Sequence, residues 1–222
     1  MFTKVLVVDD IDLNNIATEK ALTELGINDV TYAKYCDEAL LKIKKAELDR
    51  KPFELLVSDL SFKADHRDTV LKSGEELIAE VKKVYPHIKV IAFSIDERSY
   101  TIKKLLDETE VEAYVLKSRN SSSELKKAIQ LVYSGEDRYL SPDLQFVYQD
   151  KTTSEIDNFD IQLLKQLSLG VPQDAMEYKF KELGITPNSK STIEKRIAKL
   201  KDYFKANNPT HLVAIAKDLG LV

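Results

Sequence analysis

The sequence predicts a doubly wound α/β domain with a five-stranded parallel sheet, followed by a small all-α domain. Three observations carry this. Strand-like and helix-like segments alternate through about residue 134. The strand-like runs are continuously rich in Val, Ile and Leu rather than alternating, as expected for strands buried on both faces. Beyond about residue 157 no strand pattern returns, and only helical segments follow. The expected organisation is a first domain over 1–134, a linker over 135–156 and a second domain over 157–222.

Taken in order, strands are expected at 3–8, 29–33, 53–58, 88–93 and 113–116. Amphipathic helices are expected at 12–25, 36–47, 74–84, 98–108 and 121–133. Gly26 closes the first helix, because a left-handed residue after the last turn is easiest for glycine. Ser121-Ser122-Ser123-Glu124 predicts a capping box opening the fifth. Five such βα units make a parallel sheet with right-handed crossovers. The stretch Ser134 to Asp157 is polar and turn-rich, with one apolar patch at Leu144-Gln145-Phe146-Val147-Tyr148. It reads as a linker with a short docked helix or turn. Four helices are then expected at 157–169, 172–183, 189–205 and 209–219, punctuated by Gly170, Gly184, Asn207-Asn208 and Gly220.

Composition narrows the function classes. The chain of 222 residues is 43% hydrophobic and 32% charged, ordinary for a soluble globular protein. A single cysteine, Cys36, excludes an intramolecular disulfide and fits a reducing cytosol, so a cytoplasmic location is expected. No apolar run approaches the roughly 18 residues of a membrane span, and no signal peptide is visible. The net charge of −4 is unevenly placed. Residues 155–222 carry ten Lys and Arg against nine Asp and Glu, which leaves −5 on the remainder.

Four strands deliver chemistry at their C-terminal ends. Lys4–Val8 runs into Asp9 and Asp10, and Phe53–Ser58 into Asp59. Lys89–Phe93 ends at Ser94, and Val111–Leu116 at Lys117. In an open parallel sheet these ends share one edge, where sites form. Asp9, Asp10 and Asp59 suit one Mg²⁺, which takes carboxylate oxygens and accepts phosphate oxygens. Asp59, ending the middle strand, is the expected nucleophile toward a phosphoryl group. Ser94 is expected to hydrogen-bond one phosphoryl oxygen and Lys117 to pair with another.

In that order and on those strands, Val7-Val8-Asp9-Asp10, Val57-Ser58-Asp59-Leu60, Ala92-Phe93-Ser94 and Tyr114-Val115-Leu116-Lys117 resemble the receiver domains of two-component response regulators, over residues 3 to about 133. The resemblance implies a flavodoxin-like fold and phosphorylation of Asp59 by a partner histidine kinase. It implies Mg²⁺ bound by Asp9, Asp10, Asp59 and the backbone carbonyl of Ser61. It makes Ser94 and Tyr114 a switch pair, in which Ser94 moves inward on phosphorylation and Tyr114 turns in behind it. Ser61 and Asp96, each two residues past a site group, border the path of the attacking water and tune dephosphorylation. Such a receiver is not an enzyme beyond its own phosphoryl transfer and autodephosphorylation. Two departures stand out. No proline follows the acceptor, and the loop over 60–73 is several residues longer than usual, carrying Asp65, His66, Arg67 and Asp68. The position after Lys117 is Ser118 rather than proline.

In the tail, Ile193, Ile197, Leu200 and Phe204 form one apolar stripe at helical spacing, opposite Lys190, Ser191, Glu194, Lys195, Lys199 and Lys201. Between Asn188 and Lys205 six basic residues face two acidic ones. Basic and small polar groups opening such a helix suit phosphates and base edges in a major groove. Ser189–Leu200 and His211–Leu221 resemble the four-helix, helix-turn-helix output domain of the NarL/FixJ (LuxR-type) regulators. The resemblance implies promoter DNA as partner, with Ser189, Lys190, Ser191, Thr192, Glu194, Lys195 and Lys199 facing it. It also implies a homodimer formed on phosphorylation or on DNA, meeting through the last helix. The turn Gly184–Asn188 is about three residues longer than the family's, and Tyr178 and Phe180 replace its usual small residues. The whole therefore reads as a phosphorylated, DNA-binding transcription regulator. The alternative is a phosphorylation-switched regulator whose divergent tail grips a protein instead of DNA.

Overall fold

The computed structural model describes residues 1–62, 69–136, 138–149 and 156–222. Its residues divide into two compact units. One is Met1–Glu97 with Ile102–Gln145, the other Arg98–Thr101 with Phe146–Val222.

The first unit is a parallel sheet flanked by helices. The strands are β1 (Lys4–Val8), β2 (Asp29–Ala33), β3 (Leu55–Ser58), β4 (Lys89–Ser94), β5 (Ala113–Leu116) and β6 (Tyr139–Leu140). Their order is β2-β1-β3-β4-β5-β6, and every pairing is parallel. β3 and β5 are buried at every position, as their uninterrupted apolar runs require. The helices of this sheet are α1 (Asp12–Glu24), α2 (Cys36–Leu48), α3 (Gly74–Val84) and α5 (Ser121–Ser134), while the short α4 (Ser99–Lys103) begins in the second unit and ends in the first. One core packs Val5, Val7, Leu55, Val57, Ile91, Phe93, Ala113 and Val115 of the sheet against Ala21 and Leu22 of α1 and Leu125, Ile129 and Val132 of α5. Gly26 has φ +76°, and the chain turns there with Ile27 N–H on the Leu22 carbonyl, as expected of a glycine beyond a helix end.

Three features differ from the sequence reading. Among the described residues the sheet has six strands, not five. Tyr139 and Leu140, within the segment read as linker, pair with the open edge of β5. Buried Ser141 then locks them by donating its N–H to the Tyr114 carbonyl and accepting Leu116 N–H at 3.1 Å. Two residues are too few to show a strand period. Second, the helix expected over 98–108 divides into α4 and a π-helical turn, Lys104–Glu108. Third, the capping box over 121–124 is absent. Asn120 is the N-cap, without a side-chain bond, and the Glu124 carboxylate instead accepts the Tyr139 hydroxyl. The sixth strand thus also explains the lost cap.

The second unit holds the short α6 (Phe146–Gln149), α7 (Asn158–Ser168), α8 (Met176–Glu182), α9 (Lys190–Tyr203) and α10 (Pro209–Asp218). A 3₁₀ turn, Gln173–Ala175, opens α8. Leu163, Leu164, Met176, Phe180, Ile193, Ile197, Leu200, Leu212 and Ala216 share its core. The Ile193-Ile197-Leu200 stripe is therefore the inner face of α9, with Phe204 half-buried beyond it. Phe180 is core, stacked edge-on against Phe159 at 5.4 Å, whereas Tyr178 is exposed.

Candidate functional site

The site lies at the C-terminal ends of β1, β3, β4 and β5, where the pairing register sets Val8 beside Ser58 and Ser94 beside Leu116. Asp9 and Asp59 are the next residues along β1 and β3, and both are buried. The carboxylates of Asp9, Asp10 and Asp59 each offer an oxygen within 4.8 Å of the others, so a divalent cation can be shared among them. Three acids at that spacing repel one another, and the lysine from β5 offsets part of the repulsion. Lys117 Nζ donates to Asp9 Oδ2 at 2.7 Å and to Asp59 Oδ2 at 2.5 Å, with its side chain 8% exposed. Its ammonium also lies 5.2 Å from the Phe93 ring centre.

Backbone amides hold the two buried acids. Ile11 N–H donates to Asp9 Oδ1 at 2.8 Å. Leu60 N–H donates to Asp59 Oδ1 at 2.6 Å, and Ser61 N–H to the same oxygen at 3.3 Å. Ser61 itself is exposed at the rim. Below the acceptor, Ser58 Oγ donates to the Asp59 carbonyl.

Ser94 on β4 and Tyr114 on β5 are both buried, and Tyr114 pairs with Ala92, two residues before Ser94. The Tyr114 hydroxyl donates to the Asp96 carbonyl at 2.6 Å, and Asp96 N–H donates to Ser94 Oγ at 3.3 Å. Burial first, then the nearby Asp96 carboxylate, push the Tyr114 phenol well above its ordinary value, while the Ser94 hydroxyl pulls the other way. Tyr114 is thus a neutral phenol turned inward, bonded to the loop that begins with Ser94.

Gly74, the first residue of α3, is a site residue that sequence reasoning missed. Its N–H donates to the Leu60 carbonyl, and an added Cβ would lie 1.8 Å from the Asp59 carbonyl oxygen and 2.7 Å from Leu60 Cα. Both obstacles are backbone, so α3 can press against the acceptor only without a side chain. The signal was the Ser73-Gly74 pair, where Ser73 caps α3 by accepting Glu76 N–H. Gly74→Ala is expected to destabilise the chain by about 2–3 kcal/mol through overpacking, read as a lower denaturation midpoint. An unchanged midpoint would refute this contact.

The long loop's residues Asp65, His66, Arg67 and Asp68 lie outside the described residues. Its exit is held from α2: the Asp37 carboxylate accepts Val70 N–H and Leu71 N–H, each at 2.9 Å.

In the helical unit, Ser189, Lys190, Ser191, Glu194, Lys195 and Lys199 are exposed on α9, and Thr192 is half-buried. Ser189 is the N-cap, its Oγ accepting Thr192 N–H and lying 2.8 Å from the Thr192 hydroxyl. These two hydroxyls start the helix. Lys190 Nζ is 3.1 Å from Asp174, which precedes α8. Lys195 and Lys199 present ammonium groups on the exposed side. Arg196, between them in sequence, points the other way. Its Nε donates to Asp160 Oδ1 at 2.5 Å, and its Nη2 to Asp160 Oδ2 at 2.9 Å and to Asp157. Asp157 and Asp160 form the capping box of α7, so one guanidinium ties α9 to the start of α7. Leu212 and Ala216 of α10 are core, and Val213 and Ile215 are half-buried.

No protein-family model matches the chain, and no curated protein is significantly similar in sequence. Solved structures are similar. A structure of the RcsB response regulator from Salmonella typhimurium has a TM-score of 0.65 at 17% identity, covering 97% of this chain and 99% of that one. RcsB from Salmonella enterica serovar Typhimurium, bound to promoter rprA in the presence of the phosphomimetic BeF₃⁻, gives 0.63 at 19% identity, covering 95% and 96%. The isolated REC domain of that RcsB gives 0.53 at 20% identity, covering 66% of this chain and 99% of its own. At these identities the likeness shows the fold: a parallel-sheet receiver-like domain followed by an all-α helix-turn-helix domain.

Proposed function

We propose that the chain is a two-component response regulator whose receiver, residues 1–134, is phosphorylated on Asp59, and whose output domain, residues 157–222, binds promoter DNA. The observation that carries it is the convergence of Asp9, Asp59 and Lys117 at one strand edge, two buried carboxylates bridged by one ammonium. Such a cluster is poised for a phosphoryl group. Asp59 attacks phosphorus, the bond to the donor's leaving group breaks, and the new charge falls beside Lys117 and Ser94. Asp9, Asp10, Asp59 and the Ser61 carbonyl would hold Mg²⁺, which when bound would neutralise charge on the entering phosphate oxygens. A histidine kinase is the phosphodonor. Ser94, Tyr114 and the loop to Asp96 relay the change, because the Tyr114 hydroxyl bonds that loop directly. Ser61, two residues past the acceptor, and Asp96, two past Ser94, set the lifetime of the phosphoryl group.

The solved structures of RcsB dimers bound to DNA and of RcsB bound to promoter rprA support a DNA-binding output domain, and the exposed basic side of α9 is the face proposed to meet DNA. In this chain Ser189, Lys190, Ser191, Thr192, Glu194, Lys195 and Lys199 form that face, with Ser189 and Thr192 also shaping its start. No described helix is long and apolar enough to cross a membrane. One observation favours the second reading, a protein-gripping tail: Asp174 partly neutralises Lys190 on the proposed DNA face.

The two readings separate on lysines. Lys195→Ala with Lys199→Ala is expected to weaken DNA binding and to lower the slope of log affinity against log salt by about 2, one for each lost phosphate contact. Filter binding across a salt series measures it. Unaltered affinity moves the DNA surface elsewhere, and no salt-dependent binding by the parent chain favours the protein-gripping tail. Mg²⁺ is expected to raise the thermal midpoint of the full chain, and Asp9→Asn to remove that rise. An equal rise in both, by calorimetry, would place the cation elsewhere.

A further inference from the structure

Ser141 lies beyond residue 134, yet it is 2% exposed, and its N–H, carbonyl and hydroxyl oxygen are each bonded. Its N–H donates to the Tyr114 carbonyl at 3.1 Å. In a continuing parallel ladder its own carbonyl would accept the next outward amide of β5, Leu116 N–H. The chain turns away instead. The Ser141 carbonyl accepts Leu144 N–H at 2.9 Å and starts the 3₁₀ turn Pro142–Leu144. The side chain takes over the acceptor's role, since Leu116 N–H donates to Ser141 Oγ at 3.1 Å.

That bond falls one residue before Lys117. Alternate amides of a strand face opposite neighbours, and the two at the end of β5 are held from opposite sides. Lys117 N–H donates to the Ser94 carbonyl of β4 at 2.8 Å, and Leu116 N–H to Ser141. The strand end that carries the ammonium is thus clamped between β4 and a serine of the linker. Backbone pairing with β6 stops at Tyr114 and Leu140. Two residues are far fewer than in an ordinary strand, so the hydroxyl is what carries the grip as far as Leu116. Lys117 needs that hold. Its ammonium meets two buried carboxylates at 2.7 and 2.5 Å, and short charge-assisted bonds weaken steeply with displacement.

We propose that Ser141 is a positioning residue for phosphoryl transfer: through Leu116 it sets the end of β5 so that Lys117 reaches both Asp9 and Asp59. The inference rests on Asp59 being the phosphoacceptor, and it extends the functional receiver to residue 141.

The test compares the full chain with Ser141→Ala, Ser141→Thr and Tyr139→Phe. Each is incubated with acetyl phosphate and Mg²⁺ below the lowest thermal midpoint of the set, and the initial rate of phosphoryl mass gain is followed. Ser141→Ala leaves Leu116 N–H without its acceptor and is expected to slow the gain about fivefold, the factor of one ordinary hydrogen bond. Ser141→Thr keeps a hydroxyl oxygen and is expected to recover most of the parent rate. Tyr139→Phe removes the other side-chain lock of β6, the hydroxyl on Glu124, but leaves Leu116 bonded. It is expected to lower the thermal midpoint, as Ser141→Ala does, while keeping the parent rate. A role for β6 in stability alone would slow both variants or neither. A parent rate in Ser141→Ala, equal slowing in Ser141→Ala and Tyr139→Phe, or a Ser141→Thr no faster than Ser141→Ala would overturn the inference and leave Asp59 as acceptor. A parent chain that gains no phosphoryl mass would overturn that reading, and the inference with it.

Discussion

Asp59→Asn gains no phosphoryl mass on incubation with acetyl phosphate and Mg²⁺, whereas the parent chain gains one. The asparagine keeps the shape of the acceptor and can still accept Leu60 N–H, so the chain is expected to stay folded by circular dichroism. What is lost is the nucleophile. Lys117 then keeps Asp9 as its buried partner. An adduct yield equal to the parent's would remove Asp59 from the centre of the account. The same experiment on Lys117→Ala leaves the nucleophile but removes the ammonium that bridges two buried acids, and a strongly reduced yield is expected there.

Arg196→Ala is expected to cost about 3 kcal/mol of stability, at the lower edge of what breaking a buried ion pair does. The reason is Asp160, whose side chain is 3% exposed and would be left without its cation. Arg196 is itself about a quarter exposed and Asp157 more than half, which keeps the figure at that edge. Removing both partners, Arg196→Ala with Asp160→Ala, should destabilise by less than the two single changes added together. Chemical denaturation followed in the helical unit checks both. If Arg196→Ala leaves the midpoint unchanged, the tie between α7 and α9 carries no stability. The cluster also has a pH signature. Burial raises the Asp157 carboxyl, but the Asp160 N–H and Arg196 outweigh it and hold it below its ordinary value of 3.8. Its contribution is therefore full above about pH 4 and is lost as pH falls through the lowered native value.

The alternation of apolar runs and amphipathic helices was enough to place the first five strands and the acids at their ends. Asp59 and Lys117 lie 58 residues apart in the chain and meet because parallel strands end on one edge. That rule needs no side-chain detail. Three things were hidden for physical reasons. β6 is two residues long, and its partner is an open edge rather than a period in its own sequence. Gly74 matters through the absence of a Cβ against a backbone 15 residues earlier, which no local pattern records. Arg196 sits among solvent-facing lysines, yet the turn of α9 carries it inward to Asp160. Charge alone does not separate a DNA contact from a buried tie. The same limit applied to Glu124, whose spacing from Ser121 fits a cap but whose carboxylate is taken by Tyr139.

The central claim, a phosphorylation-switched DNA-binding regulator, is tested most directly by sequencing genomic fragments recovered with the full chain, with and without acetyl phosphate and Mg²⁺. A common motif with two-fold symmetry is predicted, more strongly enriched with the phosphodonor for the parent chain and indifferent to it for Asp59→Asn. Recovery of no common sequence under either condition, or equal enrichment by both chains with the phosphodonor present, would contradict it.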